Sequence, residues 1–264
     1  MAGKRKRGVG LRKRYPILEF DASREAIIEP SNVIGRGDVP EHCVLCFFPE
    51  VIEKLRADMG AKELWRQESE SGTMPVLEIE VKGGRLAAFH PGVGASLAAA
   101  HLEEVIALGC RKFIACGGAG VLNREIASGH IIVPTSAVRD EGTSYHYLPP
   151  SREVSASAEG VEAICRVLSE HKVPFTKGKS WTTDAFYRET PSKVALRRDE
   201  GCLTVEMEAA AFFSVAEFRG VTFAQMLYGG DDVSGLEWDA REWDGRVSAR
   251  EGLFWLAAEA CLQL

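Results

Sequence analysis

The chain has 264 residues, 45% of them hydrophobic and 27% charged, with 26 glycines and 11 prolines, an ordinary globular composition that excludes collagen-like, mucin-like and wholly disordered classes. With 32 basic and 38 acidic residues the net charge is −6, which argues against a general nucleic-acid binder. No apolar run approaches the ~20 residues of a membrane helix and no signal-peptide core opens the chain; seven cysteines without framework spacing read as reduced thiols of a cytoplasmic protein.

Residues 1–14 (MAGKRKRGVGLRKR) hold seven Lys/Arg and no acid. So polar a segment cannot bury enough apolar surface to order itself, and it reads as a disordered, solvated basic tail. A nucleic-acid or membrane patch is the weaker reading, because a few charges bind polyanions weakly and in a salt-dependent way. The remaining 25 basic and 38 acidic residues leave the rest of the chain at −13.

From Tyr15 onward, short β-branched runs alternate with helix-period segments, the pattern of a sheet covered by helices. Cys43–Phe48 is a predicted strand, and Pro49 opens a helix through about Ala57. Arg85–His90 is a strand. Over Ser96–Leu108, the residues Ala98, His101, Leu102, Val105 and Ile106 share one helical face, and Gly109 ends the helix. Lys112–Cys116 and His130–Pro134 are strands. Val161, Ile164, Cys165 and Leu168 mark an amphipathic helix, and Phe175–Thr182 is extended. Glu208–Arg219 is a helix with Ala209, Phe212, Phe213 and Ala216 inward and Gly220 as its stop. Val221–Tyr228 is a strand, and Leu253, Leu256, Ala257 and Ala260 face inward on a terminal helix. With no repeat, linker or composition break, residues 15–264 form one domain.

Four motifs could carry chemistry. Cys116-Gly117-Gly118-Ala119-Gly120 follows an apolar strand and reads as a tight loop lining a pocket. Only about nine residues separate it from the next strand, which leaves no room for the crossover helix of a dinucleotide site. Cys43 and Cys46 form a C-x-x-C beside His42. On a strand their sulfurs point to opposite faces, and no second pair completes a tetrahedral metal site, so buried strand cysteines are the reading and no metal is assigned. In Thr204-Val205-Glu206-Met207-Glu208-Ala209, the helix dipole accounts for one acid in the first turn. It does not account for a methionine between two acids, whereas a carboxylate there can accept two hydrogen bonds from a vicinal diol while the thioether packs under a sugar. Tyr228-Gly229-Gly230-Asp231-Asp232 ends a strand, where open α/β sheets place their ligands. Paired carboxylates raise each other's proton affinity, which suits a general acid, although Gly and Asp are also ordinary turn formers.

Taken together, VEMEAAAFF (205–213), AVRDEGTSYHY (137–147), TTDAFY (182–187) and GGDD (229–232) resemble the nucleoside phosphorylase/uridine phosphorylase superfamily, which includes the nucleosidases. Phe186 lies 19 residues before Val205 and Asp231 lies 23 after Glu208, close to that family's spacing, and the similarity runs from about Tyr15 to Gly235. The resemblance implies a three-layer α/β/α sandwich with a central mixed, partly barrel-like sheet, assembled as a homo-oligomer, a dimer or hexamer. It implies that Glu208 binds the ribose hydroxyls, with Met207 on the sugar and Glu206 lining the site. Phe186 would stack on the base, beside Val205 and Arg188, and Asp231 would protonate the leaving base. Gly94, Gly117, Gly118 and Arg139 fall in the region of the nucleophile. The implied reaction is cleavage of a (deoxy)ribonucleoside to free base and ribose 1-phosphate, with no cofactor beyond inorganic phosphate as co-substrate.

The nucleophile side departs from the family. Its Gly-Asp-Pro-x-Arg phosphate loop corresponds to Phe47-Phe48-Pro49-Glu50-Val51, so an arginine has become Val51. A second family arginine is Ala115, and the hydroxyl residue of the following loop is Gly118. A buried phosphate dianion needs cationic partners. Either Arg36, Arg66 or Arg139 rebuilds the site, or water replaces phosphate and the enzyme is a nucleosidase. A non-catalytic nucleoside-binding relative is a third reading. The base stays open: Asp231 favours a purine, and Arg188-Glu189-Thr190-Pro191 replaces the Gln-x-Arg pair of uridine phosphorylases, although Arg188 is placed to reach a uracil carbonyl.

Overall fold

The computed structural model describes residues 11–242 and 247–264, so residues 1–10 of the predicted basic tail lie outside the described residues. In chain order the elements are α1 (Pro30–Val33), β1 (His42–Cys46), α2 (Pro49–Asp58), β2 (Lys62–Ser69), β3 (Gly72–Val81), β4 (Gly84–Phe89), α3 (Ala95–Leu108), β5 (Lys112–Val121), β6 (Ile131–Asp140), β7 (Glu153–Ser155), α4 (Ala158–Glu170), β8 (Phe175–Thr183), α5 (Pro191–Asp199), β9 (Cys202–Glu206), α6 (Ala209–Arg219), β10 (Thr222–Asp232) and α7 (Val247–Leu262).

The ten strands form one mixed sheet in the order β10-β6-β8-β9-β5-β1-β4-β3-β2, with β7 on β6 and a further β10–β5 pairing. That extra pairing closes β5, β10, β6, β8 and β9 into a ring, the barrel-like half, from which β1, β4, β3 and β2 fan out as an open sheet. Strand alternation then splits the core. Val44, Cys46, Leu86, Ala88, Ile114, Cys116, Ala224 and Met226 face one side with residues of α2, α4 and α7. Cys43, Leu45, Ala87, Phe89, Phe113, Ala115 and Phe223 face the other, against α3 and α6. The two cysteines of the C-x-x-C therefore lie in opposite layers. The fold is an α/β/α sandwich around a partly barrel-like sheet.

Three expectations are corrected. The glycine run 117–120 is a continuation of β5 as far as Val121, because glycines let the backbone pass against neighbouring side chains: a Cβ on Gly117 would lie 3.1 Å from the Phe47 ring, and one on Gly118 3.0 Å from Tyr228. The strand predicted to stop at Tyr228 runs on through the GGDD segment to Asp232. The helix after the E-M-E motif buries all of Ala209–Ala216 rather than one face, because it is enclosed between α3 and the sheet. Sequence periodicity also passes over the β2–β3 hairpin, since β2 (KELWRQES) is mostly exposed at the sheet edge and carries no alternation.

Close helix–sheet approach generates a test. A Cβ on Gly160 of α4 would sit 2.7 Å from the Ala224 Cβ and 3.3 Å from its amide nitrogen. Neither neighbour is the tip of a flexible side chain, so Gly160→Ala should lower unfolding stability by about 1–3 kcal/mol. Gly252→Ala, in α7 with nothing within 4 Å, should instead raise it by ~0.5 kcal/mol or more. Urea unfolding of both variants measures the two signs.

Candidate active site

The site is assembled at the carboxyl ends of β4, β5, β8, β9 and β10, where a sheet of this kind presents loops and helix N-termini. Its foundation is Glu206, the last residue of β9. One carboxylate oxygen accepts from Thr182 Oγ1 at 2.7 Å and Ser180 Oγ at 3.2 Å on the neighbouring β8. The other accepts from the amides of Glu208 at 2.7 Å and Ala209 at 2.6 Å, the first N–H groups of α6. Thr182 Oγ1 in turn accepts from the Ala210 amide at 2.9 Å. An N-terminal helix turn leaves several amides unpaired, and here a buried anion and a hydroxyl take three of them. Glu206 is therefore spent within the protein and does not offer an oxygen to a ligand, which corrects its expected place along the sugar.

With α6 fixed in this way, Glu208 is aimed across the pocket mouth, and its Oε1 accepts the Gly94 amide at 2.6 Å. Gly94 is the N-cap of α3 and has φ +96°, a conformation that favours glycine; no Cβ stands between its amide and the carboxylate. Burial, and then the nearby charge of Glu206, push the Glu208 carboxyl up to about 8. Burial raises Glu206 as well, against the four hydrogen bonds donated to it. The donors on Glu206 oppose the cost of its burial, and its charge in turn disfavours ionisation of Glu208. Met207 is half-buried between them.

Val205 lies opposite Gly120 in the β5–β9 ladder, and a Cβ on Gly120 would meet Val205 Cγ1 at 3.0 Å and the Asp231 carboxylate at 3.5 Å. Gly120 thus marks the seam where β9 and β10, on either side of β5, bring Val205 and Asp231 together. The register of β10 against β5 pairs Gly229 with Ala119 and Asp232 with Val121, so Gly230 and Asp231 together face the single Gly120. This bulge redirects Asp231 out of the ladder. Its Oδ2 accepts the Trp238 indole N–H at 2.7 Å. The adjacent Asp232 is 1% exposed and pairs with Arg241 at 2.6 Å and Arg124 at 3.6 Å, which, with the Ser234 hydrogen bonds, holds its carboxyl below the usual range against burial. Asp231 lies between Gly120 and Trp238, and Asp232 braces the loop.

Phe186 opens a 3-10 turn after β8 and is 50% exposed, stacked on Tyr187 with ring centroids 4.1 Å apart. Arg188 ends the same turn and is exposed. Glu189 follows it, half-buried, and burial together with the charge of Asp231 raises its carboxyl to about 7, which brings this segment to the Asp231 side of the pocket. Asp184, before Phe186, accepts the Gly142 amide at 2.8 Å and adds to the field on Glu208. Sequence reasoning assigned no role to Glu189, Trp238 or Asp184; Asp184 lies within the TTDAFY motif and Glu189 just after it, and only Trp238 has no motif beside it.

The nucleophile side is corrected most. Arg139 is buried, and its guanidinium donates to Ser144 Oγ, Ser151 Oγ and the carbonyls of Leu148 and Pro149 at 2.7–3.2 Å while lying over the Tyr145 ring. It ties down the 144–151 loop with four of its five N–H donors. Arg66 pairs with Glu63 on the edge strand β2. Arg36 lies beside Gly109, at the opposite end of β5 from Gly117. Val51 and Ala115, at the family's arginine positions, are 3% and 0% exposed, in the apolar clusters on either side of the sheet. Gly117 backs onto Phe47, whose ring lies 6.0 Å from His90 and 6.2 Å from Phe212. Near Gly118, Arg250 donates to Tyr228 Oη at 3.2 Å and Glu50 Oε1 at 3.0 Å, a group the sequence did not reveal. His90 accepts the Gly92 amide at 3.0 Å through Nδ1, which shapes the loop leading to Gly94.

The raised Glu208 carboxyl gives a stability test with a defined sign. A carboxyl whose folded value lies above its unfolded one contributes fully below about pH 4.5, and that contribution is lost as pH rises through about 8. Glu208→Gln should therefore melt at the wild-type temperature near pH 4.5 and increasingly above it toward pH 8. Glu206→Gln presents an NH2 to a nest of donors and should lose about 1.5 kcal/mol or more at every pH. Thermal melts of both variants across this range decide.

A family model described as the phosphorylase superfamily matches residues 41–250. The chain is similar to the guanosine phosphorylase of Halorubrum lacusprofundi, 26% identical over 193 residues that cover 73% of this chain and 79% of the relative. Among solved structures, the uridine phosphorylase of Vibrio fischeri superposes with a TM-score of 0.72 at 23% identity, covering 86% of this chain and 94% of that one. The AMP nucleosidase of Bacteroides thetaiotaomicron gives 0.68 at 22% identity, covering 84% and 87%. At such identities the structural likeness is one of fold. The family match runs from the first strand of the sheet into the last helix and contains Gly94, Val205, Met207, Glu208 and Asp231, and on that ground the chain belongs to the phosphorylase superfamily.

Proposed function

We propose that this chain cleaves the N-glycosidic bond of a purine ribonucleoside or deoxyribonucleoside, with phosphate as nucleophile and free base and ribose 1-phosphate as products. The observation that supports this reading is the seam at Gly120, where Asp231 of β10 meets Val205 of β9, three residues before Glu208 in the chain. The two acids would divide the work. Glu208, already anchored by the Gly94 amide, accepts from the ribose diol, and the Met207 thioether packs on the sugar. Phe186, half exposed at the rim, stacks on the base, beside Val205 and Arg188. Asp231 delivers a proton to the departing purine as the C1′–N bond breaks and its electron pair passes to the base, leaving a ribosyl cation for the nucleophile. Holding sugar and base in one orientation supplies the remaining advantage over the reaction in water.

The names of the relatives support phosphorolysis. Hydrolysis is the second reading, and one observation favours it: Val51 and Ala115 are enclosed in the core, and Arg139 is committed to its own loop. All seven cysteines are free thiols, which supports a reducing cytoplasm, and nucleoside salvage by a homo-oligomer completes the proposal. No described helix is long and apolar enough to cross a membrane.

Base release from purine nucleosides, assayed with and without phosphate, tests both readings. Ribose 1-phosphate as product establishes phosphorolysis, and ribose in phosphate-free buffer establishes hydrolysis. Asp231→Asn should lower kcat by about 10²–10⁴-fold, the scale of general acid catalysis, with unchanged circular dichroism. An unimpaired Asp231→Asn enzyme would remove Asp231 from the mechanism.

A further inference from the structure

Trp238 has an unusual combination of surroundings. Its side chain is at the surface, 65% exposed, yet its indole N–H is committed to Asp231 Oδ2 at 2.7 Å. The segment that carries it is strongly constrained. Asp232 and Asp239 exchange backbone hydrogen bonds at 2.8 and 3.1 Å. The buried Asp232 carboxylate accepts from the Ser234 amide at 2.8 Å and from Arg241 at 2.6 Å. Arg241 also donates to the carbonyls of Ile126 and Arg124, fastening the far side of the loop to the turn after β5. Residues 232–241 are thus a small hairpin bolted at its base, with Leu236 91% exposed at its tip and the indole turned back onto Asp231. Apolar burial does not account for an indole in that position, since most of the ring is in water; the hydrogen bond does.

We propose that Trp238 is a positioning residue for Asp231, whose indole N–H engages Oδ2 and so reserves Oδ1 as the proton-bearing oxygen that meets the leaving base. The inference rests on the function proposed above. An indole nitrogen donates only, and the carbonyl-type oxygen of a carboxylic acid is its better acceptor, so the contact to Oδ2 favours the form with the acidic proton on Oδ1. As the C1′–N bond breaks, that proton passes from Oδ1 to the base nitrogen and Asp231 becomes a carboxylate. A hydrogen bond to a charged acceptor is roughly twice as strong as one to a neutral acceptor, so the indole contact strengthens as negative charge develops on Asp231. Such an interaction, stronger in the transition state than in the ground state, raises kcat rather than lowering KM.

The test compares wild type, Trp238→Phe, Asp231→Asn and the double variant on guanosine and on 7-methylguanosine, whose imidazole ring is already cationic and leaves without a proton. Trp238→Phe keeps a ring of similar shape and loses only the donor, and the exposure of the side chain leaves the fold intact, checked by the melting temperature. On guanosine, Trp238→Phe should lose about tenfold or more in kcat with KM within about twofold of wild type. On 7-methylguanosine it should match wild type. The double variant should be no slower than Asp231→Asn, because the indole acts only through that carboxylate. Equal losses on both substrates, or no loss on guanosine, would overturn the inference while leaving the proposed function standing. A wild-type enzyme that releases no base from either nucleoside would overturn both.

Discussion

The arrangement of the candidate site depends on one buried carboxylate held by four donors. Glu206 ends β9 and takes two hydroxyls from β8 and two amides from the first turn of α6. It therefore welds two strands of the barrel-like ring to the helix that carries Glu208. Burying an anion is costly unless hydrogen bonds replace its water, and here four donors do so. The geometry that follows is rigid: α6 starts where Glu206 holds it, and Glu208 is left beside Gly94 on the N-terminus of α3. Two helix N-termini thus face each other across the sheet edge, joined by one carboxylate–amide bond. The electrostatic consequence is that hydrogen bonds oppose the cost of burying Glu206, while burial and the charge of Glu206 push the Glu208 carboxyl up.

The same logic separates Asp231 from Asp232. They are identical in type and adjacent in sequence, but a bulge against Gly120 sends them to different surroundings. Asp232 meets Arg241, Arg124 and the Ser234 amide and becomes the anchor of a hairpin. Asp231 meets a glycine, an indole and the field of Glu189. One acid builds the support and the other is held by it, so the second carboxylate of the GGDD motif serves the site through structure rather than as a paired acid. Opposite this arrangement, the nucleophile side has been remade in apolar terms. Phe47 occupies the space against Gly117, Phe48 and Tyr228 pack together 6.0 Å apart, and Val51 is part of the core. The nearby charges, Glu50 and Arg250, compensate each other.

The central strands and the long helices were legible in the chain itself, because their burial is one-sided or complete and their apolar periods follow directly: β1, β4 and α3 fall within two residues of their predicted spans, and α4 and α7 contain the residues predicted to face inward on them. Four short motifs in the right order also carried the family and the sandwich architecture, and they pointed to Glu208, Met207, Phe186 and Asp231 as one constellation. Local pattern determines such things because it reflects the face each residue must bury. What tertiary structure alone decided was the assignment of polar groups that look alike in sequence. Glu206 differs from Glu208, Asp231 from Asp232, and a loop-fastening Arg139 from an anion-binding one, only in which partners arrive from distant strands. The glycine run reads as a loop until Phe47, Tyr228 and Val205 are seen pressing against it, and Trp238 has no signal at all until a hairpin returns it to β10. Hydrogen bonds and ion pairs between residues far apart in the chain leave no period in the sequence, and in this protein those contacts separate the acids that face the pocket from those that build it.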